Sequence, residues 1–199
     1  MNADFWNGRY NVDGYVYGTE PNSFLKEVAP QFPLGPILCL AEGEGRNAVH
    51  LASLGHAVTA VDQSVQGMAK ARKLAATRGL TISTQVVDLA EFEIVAGAWS
   101  GIVATFAHLP PALRRKVHRQ VVAGLCPGGL YALEAYTPAQ LAFDTGGPKD
   151  PAMLMTLVGL RDELPSLEFL IGREIERDVV EGTCHTGRAA VVQVLARRS

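Results

Sequence analysis

The sequence predicts an α/β domain organised on a parallel sheet, and three stretches carry that prediction. Ile37-Leu38-Cys39-Leu40-Ala41 and Ala57-Val58-Thr59-Ala60-Val61 are short continuous apolar runs, the length of parallel strands buried on both faces. Between them, Glu42-Gly43-Glu44-Gly45 forms a turn, and Arg46 to Ala52 places Ala48, Val49, Leu51 and Ala52 at helical spacing before Gly55 stops the helix. The second run ends on Asp62. Strand, glycine turn, helix and a strand ending in an acid make a βαβ nucleotide-binding unit. The turn offers backbone N–H groups and a helix N-terminus to an anionic group, and Asp62 is placed to accept both ribose hydroxyls. Gly43-x-Gly45-x-x-Ala48 also satisfies the loose dinucleotide fingerprint, and the alternative is a plain glycine turn with Asp62 as a helix N-cap.

A length of 199 residues fits one domain, and 48% hydrophobic with 19% charged residues fits a globular protein with a substantial core. A formal net charge of −2 gives no reason to expect nucleic acid or an acidic membrane as partner. Three well-separated cysteines argue against a disulfide framework and suit a reducing cytoplasm, with Cys39 a small buried hydrophobe. No Cys/His spacing suggests a metal site. No signal peptide is expected, and no apolar run approaches the roughly 20 residues of a membrane span.

Met1 to Asn22 is dense in aromatics (Phe5, Trp6, Tyr10, Tyr15, Tyr17) and is expected to form a short helix and an ordered loop, either a flap packed on the core or a lid. An amphipathic helix is expected over Ser23 to Ala29 with Ser23 as cap, and Pro30, Pro33 and Pro36 link it to the first strand. After Asp62, Ser64 is expected to cap a helix running to Thr77, with Val65, Met68, Ala69 and Leu74 inward. Thr81 to Val87 is a third strand closed by Asp88-Leu89, and Ala98 to Thr105 a fourth, with Phe106 and His108 at its tip. Ligands in open α/β sheets sit outside such tips, beside the switch in strand order. A helix follows from Pro110 through Val122, with Arg114, Arg115 and Lys116 on a solvated face, and Cys126-Pro127-Gly128-Gly129 turns into a fifth strand, Leu130 to Tyr136. The loop from Ala142 to Asp150, rich in Gly, Pro and Lys, borders the acceptor side or serves as a connector. Ala152 to Glu163 is expected to be one helix, and Leu167 to Glu181 and Cys184 to Ala196 two long strands joined at Gly182-Thr183. Only about 60 residues follow the fifth strand, whereas a nicotinamide dehydrogenase needs a substrate domain of roughly 100 residues or more.

LCLAEGEGRNA followed by VTAVDQS resembles motif I and the acidic second-strand tip of class I S-adenosylmethionine (SAM) dependent methyltransferases, more narrowly the tellurite-resistance/thiopurine-type group, in which G-x-G-R-N is common. The resemblance extends to WNGRY (Trp6 to Tyr10), YVYGTEPN (Tyr15 to Asn22), VVDL (Val86 to Leu89), TFAHLP (Thr105 to Pro110), PGG (Pro127 to Gly129) and EGTCHTGRAAVV (Glu181 to Val192). The chain departs from the group at Cys39, where an Asp is usual, at Ala41, where a glycine is usual, and at Glu42, where a cysteine is frequent.

The resemblance implies a three-layer Rossmann-like fold: a seven-stranded, mostly parallel sheet ending in a C-terminal antiparallel hairpin, with helices on both faces. It implies one domain, with 1–34 as a lid, 35–136 as the cofactor-binding core and 137–199 as substrate loop and hairpin. It implies S-adenosyl-L-methionine held by Arg9, Tyr17, Glu42, Gly43, Gly45, Arg46, Asn47, Asp62, Gln63, Ser64, Asp88, Leu89, Phe106 and His108. Thr19 belongs to the same lid. Asp88 would meet the adenine amino group, with a turn or cap aspartate as the alternative. His185 would accept a proton from the acceptor or orient it, and Arg188 would hold an anionic acceptor; the alternative is a solvated hairpin end, with Glu181 pairing with either and Cys184 a bystander. The expected activity is methyl transfer to a small-molecule acceptor, a thiol, thiopurine or chalcogen oxyanion, by a cytoplasmic monomer or homodimer. The altered motif I leaves a catalytically silent SAM-binding module as the alternative.

Overall fold

A computed structural model of the chain describes residues 2–143, 145–182 and 185–199; of His185 only the backbone is described. The elements run α1 (Ala3–Tyr10), α2 (Ser23–Val28), β1 (Pro36–Leu40), α3 (Arg46–Ser53), β2 (Ala57–Asp62), α4 (Val65–Thr77), β3 (Ser83–Val86), β4 (Trp99–Thr105), α5 (Pro111–Gly124), β5 (Leu125–Tyr136), α6 (Leu157–Glu163), β6 (Leu167–Glu181) and β7 (His185–Arg198). Short 3-10 turns lie at Ala29–Gln31, Pro138–Ala142 and Pro151–Met153.

The strands form one seven-stranded sheet in the order β3-β2-β1-β4-β5-β7-β6, with β1 to β5 mutually parallel and β7 antiparallel to both its neighbours. The chain winds outward from β1 through β2 to β3, then returns to place β4 on the other side of β1. That reversal opens a crevice above the C-terminal ends of β1 and β4. The expected fold is therefore present, hairpin included.

Alternation along the strands divides the core. Ile37, Cys39, Val58, Ala60 and Val103 pack on one face against Phe24, Leu25, Val49, Leu51, Met68 and Leu74 of α2, α3 and α4. Leu38, Leu40, Val61, Ile102 and Ala104 pack on the other against Val117, Val121, Leu160 and Leu164, in or bordering α5 and α6. Leu51 and Leu160 are almost wholly buried, and each such side chain contributes roughly 1.5–3 kcal/mol through its area removed from water.

Several expected boundaries move, each for a local reason. The N-cap of α2 is Asn22, whose side chain accepts the Leu25 N–H at 2.9 Å; Ser23 is the first helical residue. Ser64 caps α4 as expected, accepting the Gly67 N–H at 3.0 Å. The stretch 152–163 is not one helix. Asp150 caps the 3-10 turn at Pro151–Met153, and Thr156 starts α6 by accepting the Gly159 N–H. Leu154 and Met155 cross between the two as buried connectors. The fifth strand begins at Leu125, with Pro127-Gly128-Gly129 absorbed as a shift of register against β4 between Trp99 and Gly101.

Candidate active site

A cleft of about 490 Å³ lies over the C-terminal ends of β1, β2 and β4. Two residues other than glycine hold positive φ among those described: Ala41 (49°), just past β1, and Phe106 (54°), just past β4. Both line the cleft. Left-handed backbone costs an L-residue about 1–2 kcal/mol, so the strain of this fold sits on the two strands that flank the topological switch. The φ of Ala41 is one that glycine, the usual residue here in the resembling group, adopts freely.

The turn after β1 is organised by carboxylates. Asp62 is buried at the tip of β2; its Oδ2 accepts the Gly43 N–H at 2.9 Å and its Oδ1 the Ser64 N–H at 2.8 Å. It is not a helix cap, because Ser64 fills that role. Burial pushes its carboxyl above the ordinary range, against the pull of those two N–H groups. Glu42 turns back over the loop, and its Oε1 accepts the N–H groups of Asn47 and Ala48 at 2.9 and 2.8 Å. Burial raises its carboxyl to about 7, opposed by those N–H groups and by the Arg46 charge. The N-terminus of α3, expected to face an external anion, is thus already occupied by an internal one. Gly45 enters α3 with φ 91° and lies so close to α4 that a Cβ would sit 2.5 Å from that of Ala71. Glu44 faces the N-terminal segment. Its Oε2 accepts the N–H groups of Val16 (2.8 Å) and Tyr17 (3.3 Å), and its Oε1 meets Lys70 Nζ at 2.9 Å.

Of the expected cofactor residues, Arg9, Tyr17, Glu42, Arg46, Asn47, Asp62, Gln63, Asp88, Leu89, Phe106 and His108 line the cleft together. Gly43, Gly45 and Ser64 are not among the lining residues; Gly43 and Ser64 donate their N–H groups to Asp62, and Gly45 lies against Ala71. Asp88 uses one oxygen to accept the Ala90 N–H at 2.8 Å. His108 is spent structurally. Its Nδ1 lies 3.0 Å from the Met153 carbonyl, and its Nε2 takes the Tyr136 N–H at 3.3 Å. Burial holds its pKa at about 4, so the ring is neutral, with the proton on Nδ1. It stacks on Tyr136 at 5.5 Å, and Phe106 approaches the same ring at 4.7 Å.

The hairpin residues behave differently. Arg188 is not brought to the cleft: it is half-exposed on β7 and pairs with Glu176 at 3.2 Å on β6. The His185 backbone pairs with Glu181, while its side chain and Cys184 lie outside the described residues. Of the two partners expected for Glu181, Arg188 is engaged by Glu176 instead. Glu181 binds Arg46 at 2.5 Å and Arg177 at 3.0 Å, and Arg177 in turn binds the fully buried Glu134. Burial alone would raise the Glu181 carboxyl, but Arg46 and Arg177 outweigh it and hold it below the ordinary range.

The cleft also contains groups outside the expected cofactor set, some from the aromatic N-terminal segment and the 142–150 loop already expected beside it, others named for no site role. Trp6, Tyr10, Glu44, Thr105, Leu109, Leu113, Tyr136 and Met153 line it, as do Gly146, Gly147 and Pro148 of the 142–150 loop, which includes Asp144, outside the described residues. Tyr136 ends the fifth strand, and that position was a usable signal; Met153 was hidden by the helix expected there. Among the described residues no group of three His, Cys, Asp or Glu is placed to hold a metal, and no helix is long and apolar enough to cross a membrane.

Residues 37–129 match the methyltransferase domain family. The 2-heptyl-1-hydroxyquinolin-4(1H)-one methyltransferase of Mycobacteroides abscessus is 29% identical over 117 residues, covering 57% of this chain and 52% of that enzyme. The chain thus spans about half the length of the curated relative it matches. Among solved structures it is similar to TehB from Haemophilus influenzae, with a TM-score of 0.72 and 20% identity over 99% of this chain and 67% of that one. It is similar also to a structure solved in work on the conversion of a disulfide bond into a thioacetal group during echinomycin biosynthesis, with a TM-score of 0.74 and 19% identity over 99% and 92%. At these identities the structures speak for the fold. With the domain match, they bear out the resemblance to class I SAM-dependent methyltransferases and imply S-adenosyl-L-methionine as the cofactor.

Proposed function

Starting from a class I methyltransferase domain, we propose that the protein transfers a methyl group from S-adenosyl-L-methionine to a small-molecule acceptor bound in the apolar half of the cleft. One observation carries this reading: the carboxylate of Glu42 occupies the N–H groups of Asn47 and Ala48. A dinucleotide places its pyrophosphate on those N–H groups. Here an anion would meet Glu42 instead, while a nucleoside with a cationic tail would meet a complementary charge.

The residues fit that cofactor. Asp62 keeps lone pairs on both oxygens for the ribose hydroxyls, and Asp88 with Leu89 flanks the space for the base. Arg9, Tyr17, Gln63, Arg46 and Asn47 close the polar side. The cofactor supplies an activated methyl group on a sulfonium, so the chain's part is alignment, electrostatics and exclusion of water. Acidic groups at the polar end favour the cation in the ground state. Phe106, His108 and Tyr136 present an aromatic wall at the tips of β4 and β5 that orients the acceptor.

The acceptor half favours a planar, apolar molecule bearing a soft nucleophile over a compact oxyanion. Leu109, Leu113 and Met153 supply its surface. The Arg46 guanidinium is already engaged by Glu181, and Arg188 lies outside the cleft. The heterocyclic acceptor in the name of the Mycobacteroides relative accords with this reading. His108 has both nitrogens engaged, and the resemblance to the methyltransferase group gives proton acceptance to His185 on the hairpin.

Calorimetry with S-adenosylhomocysteine, followed by methyl transfer assays on aromatic thiols, hydroxyheterocycles and tellurite, tests this reading. Binding with turnover of the aromatic acceptors supports it. Binding of NAD instead of the adenosyl ligand overturns it. In His185→Ala, the acidic limb of the pH–rate profile, where a protonated base cannot accept, is expected to be lost.

A further inference from the structure

The tip of the β6–β7 hairpin is tied into the cofactor cleft at three points. Glu181 Oε2 binds Arg46 Nη2 at 2.5 Å, and Arg46 Nη1 donates to the Tyr17 carbonyl at 3.3 Å. Glu181 Oε1 accepts from Asn22 Nδ2 at 2.9 Å, while the Asn22 N–H donates to Asn47 Oδ1 at 2.9 Å. Gly182, with φ 70°, is pressed against the N-terminal segment: a Cβ there would meet the Val16 carbonyl, Tyr17 Cα at 2.5 Å and Gly18 N at 2.6 Å. Charge and backbone contact are independent, and they converge on residues 16–22. Tyr17, Gly18, Arg46 and Asn47 all line the cleft; Glu181 and Gly182 do not.

We propose that Glu181 and Gly182 are positioning residues: the hairpin tip latches the N-terminal segment over the cofactor and fixes the Arg46 guanidinium. Arg177 extends the latch to Glu134 in the core, so that the cofactor side is completed by a segment more than 130 residues downstream of the glycine turn. Glu44 fastens the backbone of residues 16 and 17 from the other side. The inference rests on the cofactor reading above for its effect on binding, and on geometry alone for the latch.

Amide hydrogen exchange on the unliganded full chain, with S-adenosylhomocysteine calorimetry, tests it on Glu181→Gln, Gly182→Ala and a control, Glu168→Gln, which breaks an exposed pair with Arg197 at the far end of the hairpin. In both tip variants the amides of Val16 and Tyr17 should exchange about tenfold faster, and the ligand Kd should rise about tenfold, the scale of one hydrogen bond to a charged group. Protection in β2 and β5 should be kept and the control should match the parent. Gly182→Ala carries the test if Glu181→Gln does not fold. Unchanged exchange at residues 16 and 17, or faster exchange there with an unchanged Kd, overturns the proposal. Failure of the parent to bind the ligand would strike the cofactor reading, and the exchange result would still decide the latch.

Discussion

The carboxylate of Glu42 caps the helix to which Asn47 belongs: its Oε1 accepts the Asn47 N–H at 2.9 Å. One residue thereby satisfies a helix end, closes a phosphate-type site and adds a carboxyl group to the wall of the cleft. Its environment raises the carboxyl from an ordinary 4.5 to about 7.

That shift predicts a pH dependence. Relative to the unfolded chain, folding favours the neutral form, so the contribution of Glu42 is fully present below pH 4.5 and is lost as pH rises through about 7, where the carboxylate forms. The loss is on the order of 3 kcal/mol. Urea unfolding at pH 5 and pH 8 checks it. Relative to Glu42→Gln, which keeps an oxygen for the helix cap, the parent should lose stability between the two values. Equal slopes would show that Glu42 does not titrate there.

His108 titrates with the opposite sense. Its folded pKa of about 4 lies below the ordinary 6.5. Its contribution is present above pH 6.5 and is lost as pH falls toward 4. Replacement by alanine removes the contacts of the ring with the Met153 carbonyl and the Tyr136 N–H and should cost about 1–3 kcal/mol at pH 8, measured by thermal or urea unfolding. His108→Ala should not remove a limb of the pH–rate profile above pH 6, because the ring is already neutral there.

Glu134 is fully buried, and burial raises its carboxyl against the pull of Arg177. Removing Arg177 leaves that charge uncompensated, so Arg177→Met should cost about 3–5 kcal/mol. Breaking the exposed Arg197–Glu168 pair with Arg197→Ala should cost less than about 1 kcal/mol. Chemical denaturation of both variants decides it, and equal losses would mean that Glu134 finds another partner.

Much of this was legible in the sequence, and the exceptions share a cause. The parallel strands announced themselves because a strand buried on both faces must be continuously apolar, and Asp62 stood out because an acid ends such a run. The Ser64 cap was visible, with the helical pattern following directly. Asn22 and Ser23 are both good caps, and the sequence does not say which of two neighbours begins the helix. Met153, Leu154, Leu157 and Leu160 hold helical spacing, yet Thr156 starts a new helix by accepting the Gly159 N–H, and a 3-10 turn followed by the short helix α6 replaces one helix. The pairing of Glu181 with Arg46 links residues 135 positions apart, and no local pattern encodes it. Arg188 drew notice by its motif, but strand alternation turns it outward to Glu176.

The strained backbone at Ala41 gives a prediction of opposite sign. Ala41→Gly relieves a left-handed alanine and should hold or raise stability by up to about 1 kcal/mol. Ala41→Val, β-branched at the same φ of 49°, should lose more than that. Thermal unfolding ranks the three proteins, and a valine variant as stable as the parent would mean that the turn relaxes.

The central claim is that an adenosyl group is held above β2 by Asp62, whose carboxylate receives Gly43 and Ser64 from the protein side and leaves its outer lone pairs to the ribose. Isothermal calorimetry of S-adenosylhomocysteine binding to the parent and to Asp62→Ala measures this directly. The account predicts binding to the parent and a loss of at least about 100-fold in the variant, with two hydrogen bonds to a charged group removed. Undiminished affinity in a folded Asp62→Ala protein would contradict it.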